Sequence, residues 1–199
     1  MYILIENDEM KGFVNEKEEG KQYIEINKEE FNELMKKQSD GESLFYNKQN
    51  KKIDSIKLNQ YETFENGEIV FQKEEKIESL KRELSELKTE YSQQEFLFQG
   101  KYWQKNRDVD KANLTSIVVM CQEMKKTTFK NWKFKDLDGV DVYVDLSILD
   151  MISLANIMQT QTTKAMVTES TLIKKIEALS VEELKKFDSI AEFKSLIEV

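Results

Sequence analysis

Apolar positions along the chain change their spacing twice, and each change marks a boundary between structural regions. Up to Phe71 they fall in short β-favouring runs broken by one helical stretch. Residues 2–5 and 22–26 read as an antiparallel pair of strands joined by a charged connection that contains Gly12 and Gly20. Asn27 then stands before Lys28, Glu29, Glu30 and Phe31, a cap residue with a carboxylate three positions on, and Phe31, Leu34 and Met35 share one face of the helix it opens. That helix is expected to stop between Gln38 and Gly41. Residues 43–46 and the segment carrying Ile53, Ile56 and Leu58 form further β candidates around a polar turn at 47–50. Residues 61–64 and 68–71 flank Asn66-Gly67, the strongest short hairpin signal in the sequence. Residues 1–71 are therefore expected to form a small α+β domain.

From Gln72 to about Phe96 the spacing becomes helical. Ile77, Leu80, Leu84, Leu87 and Tyr91 alternate in steps of three and four, as the a and d positions of a heptad do, and Glu83 and Lys88 would flank them at g and the following e. The stripe predicts a short coiled-coil spacer over residues 72–96, with self-association into a dimer or trimer. It spans only about two and a half heptads, however, where a firm assignment needs three or four. Packing of the same stripe on the chain's own domains stays open, since a solitary helix of this length is marginal in water.

Residues 97–199 are expected to be a mainly helical domain with one β-hairpin. Phe96, Phe98, Tyr102 and Trp103 crowd around Gly100 in a strand-like entry, and they are either a partner-binding patch or the packing between spacer and last domain. A helix follows from Asp108 or Asp110, with Ile117, Val118, Met120, Cys121 and Met124 as its apolar face. Alternation around Trp132 and Phe134, and again across residues 140–144, brackets Asp138-Gly139 and predicts the hairpin. Ser147 and Asp150 are spaced to cap the next helix, with Ile148, Leu149, Ile152, Ala155 and Met158 inward. A separate helix is expected over 169–179, and capping-box spacings at Ser180/Glu183 and Ser189/Glu192 open two more.

Composition narrows the chemistry. The formal charge of −8 on 199 residues argues against nucleic acid as the main partner, because affinity for phosphate backbones comes from clustered Lys and Arg. The chain contains no histidine, which removes the commonest general base and metal ligand and with them most routes to nucleophilic catalysis and to ordinary zinc sites. With a single cysteine, Cys121, no intrachain disulfide can form, and its apolar neighbours mark it as a small buried hydrophobe. No apolar run approaches the ~18 residues of a membrane span, and the first residues lack a signal-peptide pattern. Synthesis in the cytoplasm is the expectation.

Two clusters are tempting as sites. Asp136, Asp138, Asp141 and Asp145 suggest a calcium loop, but an EF-hand needs an oxygen ligand at Val140 and a glutamate at Ser147, so an ordinary hairpin turn is the better reading. Lysines interleave with Phe129, Trp132 and Phe134 as in a single-strand-binding groove, yet a half-buried strand gives the same alternation. No cofactor and no metal ligand set is identified.

The run from Tyr23 through Asn27, Phe31, Leu34 and Gln38 to Gly41 resembles a segment of small phage tail-fibre and tail-fibre-assembly proteins, in which a strand leads into a capped helix and a glycine turn. The later elements, Phe98 to Trp103, Trp132 before Asp138-Gly139, residues 142–146 and Ile176 to Leu184, are similar to a phage and prophage domain of unknown function. The resemblance implies a non-enzymatic structural component of a phage tail, tail fibre or contractile bacteriocin, incorporated into the particle and binding other tail proteins. A transient tail-fibre assembly chaperone is the alternative. It carries no catalytic residues to transfer.

Overall fold

The computed structural model describes residues 1–65 and 68–198 and shows an α+β protein with small antiparallel sheets. Its contacts divide into two compact units, Met1–Lys73 and the remainder from Glu74 onward.

In the first unit β1 (Tyr2–Glu6) is the central strand of a three-stranded sheet, between β2 (Glu9–Val14) and β3 (Gln22–Glu25). The pairing of β1 with β3 agrees with the sequence, but β2 lies inside what reads as a charged connection. Its turn is Asn7-Asp8, with φ of 53° and 65°, the left-handed pair that a two-residue hairpin loop demands, supplied by residues that tolerate it less easily than glycine. The helix α1 (Lys28–Ser39) starts where expected. Asn27 Oδ1 accepts the N–H groups of Glu29 and Glu30, each at 2.9 Å, and Glu30 returns a bond to the Asn27 N–H. Two hairpins follow, β4 (Glu42–Asn47) with β5 (Lys52–Lys57), then β6 (Glu62–Glu65) with β7 (Glu68–Phe71). The Asn66-Gly67 turn signal itself lies outside the described residues. Ile3, Ile5, Ile26 and Leu34 form the unit's core.

The second unit begins within α2 (Lys73–Gln93). A four-stranded antiparallel sheet follows, in the order β11-β10-β9-β8, built from β8 (Phe96–Phe98), β9 (Tyr102–Gln104), β10 (Thr128–Lys135) and β11 (Asp141–Ser147). Helix α3 (Asp108–Glu123) joins the two pairs of strands. Beyond the sheet run α4 (Ile148–Ala178), α5 (Val181–Lys186) and α6 (Ser189–Ile197).

Two features of this unit depart from the sequence pattern. A bulge in β10 between Phe129 and Trp132, with Asn131 at φ 62° and its N–H bonded to Asp145 Oδ1, turns both rings to the same face although three positions separate them. The expected helices over 147–158 and 169–179 are one 31-residue helix, α4, about 46 Å long at 1.5 Å per residue. The threonine-rich middle reads as a break, but it contains no glycine or proline, and packing on both sides overrides its modest propensity.

The helical faces shift with it. Met151, Leu154 and Met158 are the buried residues of the first half of α4, while Leu149 is 77% exposed and Ile152 is also exposed. In α3 the core side is Leu114 and Cys121, and Met120 and Met124 face solvent. At the start of α6 Asp188, not Ser189, is the cap, accepting the Ala191 N–H.

The heptad stripe is spent inside the chain. Leu80 and Leu84 are fully buried, with Ile77, Leu87 and Tyr91 beside them, against Ala165, Leu172, Ile176, Leu184, Phe193 and Ile197 of α4, α5 and α6. Lys88 bonds Glu169 of α4 at 3.0 Å, where a coiled coil would pair it with Glu83 of another chain. The separate spacer expected over 72–96 is thus part of the second unit's core, because a solitary amphipathic helix gains far more from such burial, about 2 kcal/mol per leucine, than from standing alone in water.

Candidate functional site

Strand pairing settles which of the four clustered aromatics are available to a partner. Phe96 stands opposite Gln104 and Phe98 opposite Tyr102, so these four point to the side that α3 and α4 cover, while Leu97 and Trp103 form the pair on the other face. Phe98 is fully buried and stacks on Phe134 at 5.8 Å between centroids, and Tyr102 stacks on the same ring at 5.1 Å. These two are core, not partner surface. Trp103 is 37% exposed on the outer face, and Phe96 is half-buried at the margin.

That margin is a groove. An open depression of about 460 Å³ lies between the end of α2, the start of β8 and one flank of α4. Tyr91 and Phe96 form its apolar wall on one side, and Asn156, Ile157 and Thr160 face them from α4. The Gln161 side chain fixes the two walls together: its Nε2 donates to the carbonyls of Tyr91 at 2.7 Å and Gln94 at 3.0 Å, closing the C-terminal end of α2. Lys164 lines the far end, half-buried and without a hydrogen-bond or ion-pair partner among the described residues. The neighbouring Glu95 is held by Lys105 at 3.5 Å.

A second tether sets the other end of β8. Gln99 Nε2 donates to Asp150 Oδ1 at 2.9 Å, which ties the β8–β9 loop to the first turn of α4. Asp150 is also the capping partner of Ser147, whose hydroxyl donates to it at 2.6 Å and whose N–H donates at 3.1 Å. The Ser147 hydroxyl chiefly, then its N–H, holds the Asp150 carboxyl below the ordinary carboxylate range, with Gln99 adding to the effect. Because the folded group keeps its charge to lower pH than the unfolded one, this cap contributes its full stability above the ordinary pKa near ~4 and loses it as pH falls through the folded value. Replacing Ser147 with alanine is expected to cost about 1 kcal/mol and to raise the Asp150 titration toward ordinary values. A carbon-13 NMR titration of the carboxyl checks this, and an unmoved midpoint would assign the depression to another group.

Deeper in the sheet, the strand in which lysines interleave with aromatics is half-buried, with Trp132 and Phe134 turned inward. Trp132 Nε1 donates to Gln104 Oε1 at 3.0 Å, with both residues buried, and Lys133 turns outward to Asp141 at 2.6 Å. Asn106 is wholly buried with its Nδ2 on the Met158 carbonyl at 3.0 Å, and its Oδ1 has no hydrogen-bond partner among the described residues. The Asp136 cluster is an ordinary turn: Asp136 Oδ1 accepts the N–H groups of Asp138 and Val140. Among the described residues no group of three acidic or cysteine side chains is placed to hold a metal ion. Cys121 is buried.

The groove was hard to see in the sequence. Phe96 and Tyr91 carry the signal, and Ile157 falls at the end of the first expected helix, but Gln161 and Lys164 lie on a stretch that reads as the gap between two helices. No family model, curated protein or solved structure matches the chain.

Proposed function

We propose that this chain is a non-enzymatic protein-binding component of a phage tail, tail fibre or phage-tail-like particle such as a contractile bacteriocin. The observation that carries the reading is its division into two units with separate cores, each closed on itself, which suits a protein that links others through surfaces. The order of the tail-fibre-like and prophage-like segments along the sequence supports it. Self-association through α2 is not part of the proposal, because Leu80 and Leu84 are covered by the chain's own helices. The same observation favours, as a second reading, a transient assembly chaperone, which needs no permanent oligomer.

Light scattering should return the 23.5 kDa mass of a single chain. Quantitative mass spectrometry of purified particles and of the lysate during assembly separates the two roles. A permanent component stays in the particle at fixed stoichiometry; a chaperone is found with tail-fibre protein in the lysate and is missing from the particle. Detection in neither place would sink both readings.

A further inference from the structure

Strand β8 is an edge of its sheet, and the groove runs beside it. Its one ladder is with β9, and among the described residues the only other backbone bond to it is from the Lys101 N–H to the Phe98 carbonyl, within the hairpin. On the outer side of the strand Leu97 is 39% exposed, and no backbone bond outside the β9 ladder reaches it among the described residues. An extended peptide can therefore add to the sheet from Phe96 to Leu97, while the fully buried Phe98 closes that end. Natural edges are commonly blunted by charge, but β8 reads Phe-Leu-Phe and carries none. Next to this edge the groove offers Phe96, Tyr91 and Ile157 for an apolar side chain, then Lys164, which has no ion-pair partner among the described residues. A carboxylate placed beside Lys164 gains a charge-assisted hydrogen bond without displacing an existing partner.

We propose that β8 and the adjoining groove capture an acidic extended segment of a partner protein by strand addition, with an apolar side chain against Phe96 and Ile157 and a carboxylate on Lys164. The inference rests on the protein-binding reading above and specifies the partner's chemistry. Pairing supplies affinity through the backbone, alternate side chains enter the groove, and Lys164 sets the direction and the charge of the segment.

The test selects short random peptides displayed against the full chain, then titrates the best synthetic peptide into nitrogen-15-labelled protein. The expected result is enrichment of alternating β-formers with Asp or Glu close behind an apolar residue, and amide shifts at Phe96, Leu97 and Phe98. Lys164→Glu and Ile157→Arg should each weaken binding about tenfold or more, whereas Trp103→Ala, on the other face of the sheet, should leave it unchanged. Ile157 is 37% exposed and Lys164 has no bonded partner to lose among the described residues, so both variants should melt close to the wild type, which excludes misfolding as the cause. No enrichment, or peptides that bind Lys164→Glu and Ile157→Arg as well as the wild type, overturns the proposal. Normal incorporation of Lys164→Glu into tail particles alongside a failed selection would remove the groove inference alone. Acidic-peptide binding by a chain found with no tail protein would remove the tail assignment alone.

Discussion

Leu84→Asp is expected to unfold the second unit, with a loss above about 4 kcal/mol, and to leave the molecular mass in solution unchanged until that unit melts. Leu84 has no exposure, and the groups around it, Leu80, Ala165, Leu172, Ile176 and Leu184, carry nothing with which a carboxylate can pair. The substitution deletes about 2 kcal/mol of burial and adds the cost of a stranded charge, together a large share of the 5–15 kcal/mol that holds a typical domain. A coiled-coil spacer gives the opposite signature: an oligomer that falls apart into folded chains. Denaturant unfolding followed by tryptophan fluorescence reports on the second unit, since both tryptophans, Trp103 and Trp132, lie in it. Light scattering on the same samples reads the mass. A folded monomer replacing a wild-type dimer or trimer would restore the oligomeric model.

The second large effect separates two aromatics that the sequence groups together. Phe98→Ala should cost about 3–5 kcal/mol, because the ring is fully buried against Phe134 and the cavity left by its removal cannot be filled by water. Trp103→Ala, five positions on and part of the same hairpin, should cost less than about 1 kcal/mol. Thermal unfolding of the two variants decides the matter; equal losses would mean that the outer face of the sheet is covered.

Legibility in the sequence followed the range of the interactions. The caps at Asn27, Ser147 and Ser180 are local, each a side chain bonding a backbone three positions on, and all three begin helices as their spacing indicates. Alternation placed Trp132 and Phe134 inward with equal success. Errors arose where packing chose among faces. Leu149 and Ile152 are as apolar as Met151 and Leu154, and only the sheet beneath α4 decides which pair is buried. The strand β2 hid because its turn is Asn-Asp and its bulge holds Gly12 at φ +151°, so neither the usual Asn-Gly signal nor an even alternation marks it. The heptad stripe was read with correct residues and left its partner open, because periodicity reports that a face is covered and is silent about what covers it. For the groove, the sequence offered Phe96 and Tyr91; the α4 wall depends on a helix running unbroken through Thr160 to Thr163.

That unbroken helix has a consequence for how the protein comes apart. Its first half supplies Met151, Leu154 and Met158 to one cluster and its second half supplies Ala165, Leu172 and Ile176 to the other, so neither cluster can be dissolved without releasing half of the same rod. Amide protons from α2 through α6 should consequently exchange with solvent in one concerted opening, slowest at the ends of α4 that are buried and no faster at its polar middle than the opening of the whole. The segment that looks weakest by composition is then protected by its position, as the shared axle of two hydrophobic clusters.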